Sequence, residues 1–200
     1  RRTFLIGAVP LGLTYDGSND LLDPTRGFRL GGRISPEISF QNSVFGYARV
    51  QLDGSIYVPA TERVVIASRA RFGTILGSSV ERIAPTRRFY AGGGASVRGY
   101  AYQAIGPRDV DNDPIGGKSL AEFSLEARVR FGNFGVVPFV DAGNISTSFV
   151  PRFRDLRIGA GVGLRYHSNF GPIRIDVGTP LNPQAGDPRV AVYVSLGQAF

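Results

Sequence analysis

The sequence predicts an all-β fold and, within that class, an antiparallel transmembrane β-barrel. Apolar and polar residues alternate with a period of two along most of the chain, which is the pattern of strands whose two faces meet different surroundings. Glycine and proline are abundant, at 27 and 13 of 200 residues, as expected for a chain with many turns. The connections are short on one side of the predicted sheet and long on the other, which is typical of barrels in membranes.

The first four predicted strands show this alternation with unequal clarity. In the third, apolar Val50 and Leu52 flank polar Gln51, and the same spacing continues to the end of the segment. The other three carry the pattern more weakly. In chain order, the four strands are predicted at residues 3–16, 27–37, 47–58 and 63–76.

Five further strands are predicted in the second half of the chain, at residues 123–131, 135–145, 156–166, 173–178 and 190–200. In the first of these, Leu125 and Val129 share the apolar face, while Glu126 and Arg128 fall on the other. In the third, three glycines occupy the face opposite the apolar residues. The last strand runs on to Phe200, whose ring is predicted on the apolar face.

The connection at residues 78–117 is about forty residues long and has no regular pattern. Connections of this length are uncommon in compact domains and are usually functional. The turns near residues 58–63, 132–135 and 166–172 are short. Because no change of composition marks a boundary, residues 1–200 are predicted to be part of a single barrel domain.

Aromatic residues support the membrane interpretation. Five of them are predicted to point outward near the short-turn side, as one aromatic girdle does: Tyr15, Phe28, Phe131, Phe134 and Tyr166. The outward faces are also the apolar ones, with the arginines opposite. A soluble β-sandwich whose arginines face water is the alternative, but it leaves the girdle and the unequal connections as coincidences.

Composition and charge exclude several classes of protein. The chain has no cysteine, which excludes disulfides and thiolate metal sites, and it has no apolar run of about 18 residues, which excludes a transmembrane helix. It also lacks methionine, so we expect a processed or excised part of a longer protein. The formal net charge of +7 would suit nucleic acid, anionic lipid or an arginine-lined interior. Since the arginines lie opposite the apolar faces, we expect the interior and no nucleic-acid partner.

Two carboxylates are predicted to meet inside the barrel. A turn centred between Asn133 and Phe134 places Glu126 directly opposite Asp141, with both side chains inward. Two carboxylates in that position repel each other and destabilise the strand pair. A cation between them reverses the effect, and Arg128 is a local candidate.

Arg98, in the long connection, is the stronger candidate for that cation. A guanidinium can serve two carboxylates in a fixed fork. The glycine run at 92–94 and Gly99 let the backbone bend sharply. This run is not a phosphate-binding loop, because it lacks a Lys-Ser/Thr pair and a following helix. Spacing alone leaves open whether Arg98 enters the lumen or is solvated on an outer loop.

The sequence predicts no catalytic, metal or cofactor site. The acidic turn at residues 109–113 has the aspartate spacing of a calcium loop, but Pro114 and Leu120 stand where that loop needs glycine and glutamate. The inward carboxylate pair could serve a glycosidase, but the flanking arginines would keep both groups ionised and leave no acid. We therefore expect a protein that is not an enzyme.

Five stretches, taken in order, resemble the bacterial surface antigen barrel, that is, the BamA/TamA superfamily of outer-membrane assembly factors. They are DPTRGFRL, FYAGGGASVRGY, AEFSLEARVRF, PFVDAGNI and GPIRIDVGTPL. VRGY alone would be a weak signal, but five motifs in order across essentially the whole chain are specific. The tail that begins at Ile158 resembles TamA more closely than BamA.

The resemblance implies a barrel of about sixteen strands, of which this chain would hold about the nine C-terminal ones, with no POTRA domain in the chain. It also implies a lumen-entering loop with a four-residue motif, Val97, Arg98, Gly99 and Tyr100. In that family the arginine of the motif meets acidic residues of the next two strands, which here are Glu126 and Asp141. The aromatic Phe200 resembles an outer-membrane targeting signal and would belong to a seam between the first and last strands.

The location implied by the resemblance is the bacterial outer membrane. The implied function is the insertion or secretion of β-barrel or autotransporter proteins through the lateral seam, without a cofactor. The implied partners are outer-membrane lipid, nascent outer-membrane or autotransporter proteins, and a periplasm-spanning protein. Two alternatives stay open, namely a two-partner secretion pore and a passive porin-like channel.

Overall fold

The computed structural model describes residues 3–40, 43–169 and 171–200, which form one antiparallel sheet of ten strands. The strands are β1, Ile6–Ala8; β2, Leu11–Asp16; β3, Gly27–Ser39; β4, Phe45–Pro59; β5, Val64–Leu76; β6, Ser119–Phe131; β7, Phe134–Ser146; β8, Arg157–Ser168; β9, Gly171–Pro180; and β10, Ala191–Leu196. In this part of the chain, none of the helical structure is long and apolar enough to cross a membrane.

The strands follow one another across the sheet in chain order. From β3 onward each strand pairs with the next, and β1 and β2 both pair with β3. The prediction of a single strand at residues 3–16 was therefore wrong in detail. The break falls at Val9 and Pro10, because proline has no N–H for the strand ladder, and the N–H of Val9 donates instead to the carbonyl of Pro36 at 3.1 Å.

The two faces of the sheet have the polarity that the alternation predicts. On the convex face, apolar side chains such as Leu125 and Leu164 are exposed. On the concave face, which we call the lumen, Glu126 and Asp141 are fully buried at 0 % exposure. A soluble sandwich would have the opposite arrangement, so the all-β fold of a transmembrane barrel wall is confirmed and the sandwich is not. Among the described residues β10 pairs only with β9, so this part of the sheet is not closed.

The predicted aromatic girdle is present on the short-turn side. Its five members are all exposed. Tyr15 and Phe28 lie with their ring centroids 5.4 Å apart, and Phe134 and Tyr166 lie 5.3 Å apart. Paired aromatic rings at one level of an apolar wall are expected where a barrel meets the membrane interface.

The connection between β5 and β6 folds back against the lumen face. Its one regular element among the described residues is a short 3-10 turn at Pro85–Arg87. Buried apolar side chains of the connection pack against buried side chains of the strands in a small core: Ile83, Phe89, Ala91, Val97, Tyr100 and Ile105 from the connection, with Tyr47, Ile75, Leu120 and Ile145 from the strands. This core holds the connection inside the sheet and positions Arg98.

The register of the β6–β7 hairpin differs from the predicted one. The turn consists of Gly132 and Asn133, so that Phe131 pairs with Phe134. As a result Glu126 lies opposite Phe139, and Asp141 lies opposite Ser124. Because the error is two residues along the partner strand, it preserves the face of every side chain, and both carboxylates still point into the lumen.

The prediction that Phe200 continues the last strand on the apolar face was wrong. β10 ends at Leu196, and Gly197 has φ +82°, a left-handed conformation that glycine adopts readily. The chain then turns inward. The ring of Phe200 stacks on Tyr57 at 6.5 Å and lies 5.1 Å from the guanidinium of Arg69. Phe200 therefore lies half-buried at the short-turn end of the lumen.

Candidate functional site

The candidate site is the point where the long connection reaches the lumen wall at Arg98. Gly99, which follows it, has φ +99°, and a Cβ at this position would lie within 3.0 Å of the backbone of Thr179 and Pro180. A side chain would therefore be strained there and would collide with β9. Glycine allows the loop backbone to lie directly on the strand and brings Arg98 over the centre of the wall.

Arg98 makes a two-pronged contact with Asp141. Its Nε and Nη2 donate to the two carboxylate oxygens at 2.7 and 2.9 Å, and its backbone N–H donates to one of them at 3.0 Å. Its Nη1 donates to Glu126 at 2.6 Å, and its guanidinium lies 3.6 Å from the ring centroid of Phe139. The structure thus brings together the arginine and the two carboxylates that the sequence singled out.

A third carboxylate, Asp176 of β9, completes the arrangement. Nη1 of Arg98 donates to it at 3.2 Å, and Nη1 of Arg165 donates to its other oxygen at 2.5 Å. Nε of Arg174 lies 3.3 Å from it. Arg98 therefore ties the loop to β6, β7 and β9 at once.

Arg128 and the other arginines balance the charge of the cluster. Nε of Arg128 donates to the second oxygen of Glu126 at 2.9 Å. Both arginines that the sequence offered as counter-ions thus contact Glu126. Burial opposes the charged form of Arg98, but the hydrogen bond and charge of Asp141, together with Glu126 and Asp176, raise the pKa of Arg98 above its ordinary value. A buried charge is tolerated when it is paired and hydrogen-bonded in this way.

The glycines of β8 make room for the loop. A Cβ at Gly159 would overlap the backbone carbonyl of Arg98, and a Cβ at Gly163 would overlap the carboxylate of Asp176. Gly143 of β7 gives similar space, because a Cβ there would lie 2.7 Å from Val97. In β8 the apolar residues therefore form the outward face, and the glycines on the lumen face leave space for the loop.

The other members of the loop motif are also placed by the wall. Val97 is fully buried against β7. The hydroxyl of Tyr100 donates to the side-chain oxygen of Asn182 at 2.9 Å, and burial raises its pKa. The hydroxyl of Tyr193, on β10, accepts from the N–H of Gly99 at 3.0 Å and donates to the carbonyl of Tyr100 at 2.6 Å. The loop is thereby connected to the last strand of the sheet.

Sequence reasoning missed Asp176, Arg165 and Tyr193 as members of this site. By the alternation of their strands, Arg174 and Asp176 fall on the inward face of residues 173–178, and Arg165 falls on the glycine face of residues 156–166. The available signal was Asp176, an inward carboxylate for which no counter-ion had been predicted. Tyr193 had no signal of its own, because a tyrosine on that face fits a barrel wall equally well.

The cluster of Arg98 with the three carboxylates can fasten the loop to the wall, and we call it the brace. Each of the three carboxylates lies within ion-pair distance of an arginine, so the charges hold the loop and the wall together. Within residues 3–40, 43–169 and 171–200, no group of three or more His, Asp or Glu side chains is arranged to hold a metal ion.

Phe200 lies near this cluster but is not part of it. Nη2 of Arg128 donates to a backbone oxygen of Phe200 at 3.0 Å. Gln198 donates from its side chain to Asp23 at 2.8 Å and from its N–H to the carbonyl of Leu22 at 3.3 Å. The connection between β2 and β3 therefore covers the tail that follows β10.

Comparisons with known proteins identify one family. The Omp85 superfamily domain matches residues 2–200. The outer membrane protein assembly factor BamA of Nitratidesulfovibrio vulgaris is 35% identical over 144 residues, which are 68% of this chain and 18% of that protein. BamA of Neorickettsia risticii is 28% identical over 217 residues, covering 99% of this chain and 28% of that protein. The chain thus spans less than a third of either relative.

A solved structure has the same fold. The crystal structure of BamA from Haemophilus ducreyi lacking POTRA domains 1-3 superposes with a TM-score of 0.73 and 23% sequence identity. The match covers 94% of this chain and 40% of that one.

Proposed function

This chain belongs to the Omp85 superfamily, and from that premise we propose that the protein containing it inserts or secretes β-barrel proteins without acting as an enzyme. It lies in the bacterial outer membrane as part of a β-barrel. Its relatives are named as outer membrane protein assembly factors. They are several times longer than this chain, so the activity is proposed for the whole protein.

The observation that carries the proposal is that the lumen loop anchors β10, the last strand, from inside the barrel. β10 pairs with β9 along Ala191–Leu196, and its other edge faces away from the part of the sheet that this chain supplies. An exposed edge carries unpaired N–H and C=O groups, which are a template for another strand. We propose that this edge is one side of a lateral seam and that client strands add to it by backbone hydrogen bonds.

The lumen loop would keep the wall beside that seam in a fixed shape. Arg98 fastens the loop to three strands, and Tyr193 fastens β10 to the same loop. A client strand would then meet a last strand that is anchored from inside. Nascent outer-membrane or autotransporter proteins are the proposed clients, and a periplasm-spanning protein is a proposed partner. The closer resemblance of the tail to TamA stays a prediction.

The test is assisted folding in reconstituted membranes. The full-length protein in lipid vesicles is mixed with a urea-denatured β-barrel client, and client folding is followed by its heat-modifiable gel mobility. We expect faster folding than in empty vesicles. This chain has no cysteine. In the full-length protein with any other cysteines replaced, a single cysteine at Val192 should crosslink to a cysteine in the client's terminal strand. Client folding at the rate of empty vesicles would contradict the proposal.

A two-partner secretion pore and a passive channel are the alternatives, and both need an open lumen. The packed loop and its buried ion pairs favour the assembly factor. Conductance of the full-length protein before and after Arg98→Ala distinguishes them. An assembly factor should conduct poorly until the loop is released, whereas a passive channel should conduct with the loop in place.

A further inference from the structure

A segment after β7 lies on the outside of the barrel wall rather than in the lumen. Residues 147–155, which we call the outer strap, form most of the connection between β7 and β8 on the long-loop side. Instead of extending away from the sheet, the strap folds back over the convex face of β5 and β6. Its exposed apolar side chains include Phe149, Val150 and Phe153.

Hydroxyl groups on the convex face hold the strap. Thr74 and Ser119 form a directly opposed pair between β5 and β6. The hydroxyl of Thr74 donates to the carbonyl of Phe149 at 2.6 Å, and that of Ser119 donates to the carbonyl of Val150 at 3.2 Å. Hydroxyls on an otherwise apolar wall would be costly without these acceptors, so this pair indicates a built contact.

A third polar group on the same face fixes the other half of the strap. The side-chain amide of Asn144, on β7, donates to the carbonyl of Arg154 at 2.8 Å and to that of Arg152 at 3.3 Å. The ring of Phe153 lies 6.2 Å from the rings of both Phe72 and Phe123 on the wall. Hydrogen bonds to its backbone thus hold the strap across three strands, while Phe149 and Val150 stay more than half exposed.

Side chains of the strap and of the wall beside it form an apolar groove with a basic border. The groove lies between the strap and β4–β5 and has a volume of about 280 Å³. Its lining, which includes Leu52, Phe72, Leu76, Phe149 and Val150, is apolar except for Thr74, whose hydroxyl donates to the strap. Arg152 and Arg154 are exposed beside it. In the described part of the chain neither guanidinium lies within ion-pair distance of a carboxylate, although Asp155 follows them. Lys118 lies at the same rim, 6.0 Å from the ring of Phe149.

We propose that the outer strap binds a phosphorylated lipid of the leaflet on the long-loop side. An acyl chain of the lipid lies in the groove, and Arg152 and Arg154 contact its phosphate. The position favours lipid over a protein partner, because the convex face is the lipid-facing wall and the strap lies where that wall ends. Aromatic rings are enriched at this level of membrane proteins, and basic residues there attract anionic headgroups.

The acyl-chain contact can be tested by fluorescence. This chain contains no tryptophan, so Phe149→Trp, in the lining of the groove, adds a reporter whose signal is the difference from the parent protein. The full-length variant is reconstituted in phosphatidylcholine vesicles that contain phosphatidylglycerol or phosphatidylcholine with brominated acyl chains. We expect both lipids to quench the reporter and the anionic one to do so at a lower mole fraction. A reporter that neither lipid quenches would overturn the proposal.

The phosphate contact is tested by removing the charges. Arg152→Ala with Arg154→Ala should weaken the preference for brominated phosphatidylglycerol by about thirtyfold at low salt, since each basic residue near an anionic surface contributes roughly 1 kcal/mol. Arg152→Lys with Arg154→Lys should retain most of it. The matched control, Arg63→Ala with Arg130→Ala, removes equal charge at the opposite rim and should leave it unchanged. The proposal would be overturned if both lipids quenched the reporter equally and replacing the two arginines did not change the quenching.

Discussion

Arg98 and Asp141 form a two-pronged ion pair, in which Nε and Nη2 of the arginine donate to the two carboxylate oxygens at 2.7 and 2.9 Å. The pair joins residues 43 positions apart in the sequence and is buried on both sides. Such geometry is specific to a guanidinium, because an ammonium cannot present two parallel donors. The loop is therefore held in the lumen by an interaction that depends on the shape of the cation as well as on its charge.

Replacing Arg98 should release the loop. Arg98→Ala leaves Asp141 without its main partner in a buried site, and loss of one member of such a pair typically costs about 3–5 kcal/mol. We expect a lower unfolding midpoint in the heat-modifiability assay and protease cleavage within residues 78–117. Arg98→Lys should restore only part of the stability, because the fork is lost. Equal stability of the lysine variant and the parent would contradict this account.

Asp176 should matter as much as the carboxylates that the sequence identified. It is fully buried and contacts Arg98, Arg165 and Arg174. Asp176→Asn keeps the shape but leaves these cations short of one negative charge, so we expect a loss of about 3–5 kcal/mol. Asp109→Asn is the control, since among the described residues this exposed carboxylate accepts only backbone N–H groups of its own turn, which an asparagine oxygen can also accept. A neutral result for Asp176→Asn would remove it from the brace.

The close contact between the glycines of β8 and the loop predicts a steric effect that is independent of charge. Gly159→Ala places a methyl group against the backbone carbonyl of Arg98, so the loop must lift from β8. Gly31→Ala is the matched control, because a Cβ there lies 3.8 Å from its nearest neighbour on a neighbouring strand of the same sheet. We expect protease sensitivity of residues 78–117 in Gly159→Ala and not in Gly31→Ala. Resistance of both variants would show that the loop can shift at no cost.

The convex face predicts a position-dependent cost of charge in lipid. Leu164 is 57% exposed on the wall of β8, so Leu164→Arg should destabilise the barrel by about 2–4 kcal/mol if the residue faces the middle of the bilayer. Gln51→Arg, on the lumen face, should be nearly neutral. The measurement is the unfolding free energy in lipid vesicles as a function of denaturant. Equal effects at both positions would mean that β8 does not face lipid.

The sequence predicted the faces of the strands better than their registers. Alternation alone placed Glu126 and Asp141 inside, because a period of two is a local property of a strand. The register of their hairpin depends on which two residues form the turn. The sequence is compatible with a turn at Gly132–Asn133 and with one at Asn133–Phe134. An error of two residues preserves the face, which is why the site was found despite the wrong pairing.

The rest of the site depends on contacts between distant parts of the chain. Asp176 reaches Arg98 only because β7, β8 and β9 follow one another across the sheet, and no local pattern specifies that distance. Phe200 looked like the continuation of an apolar stripe, but Gly197 turns the chain inward before it. The outer strap was not predicted either, since the hydroxyls that hold it, on Thr74 and Ser119, look like ordinary strand residues.

The hydroxyl of Tyr193 should control how tightly β10 is held. It accepts from the N–H of Gly99 and donates to the carbonyl of Tyr100, so Tyr193→Phe leaves two backbone groups unpaired in a buried site, at a cost of about 1–3 kcal/mol each. Because these bonds fasten the last strand and not the wall behind it, amide hydrogen exchange should become faster in β10 and stay unchanged in β6 and β7. Tyr166→Phe is the control, as its ring lies on the convex face and makes no such bond among the described residues. Faster exchange of β6 and β7 together with β10 would indicate a general loss of stability. Unchanged exchange of β10 would show that the loop does not anchor the proposed seam strand.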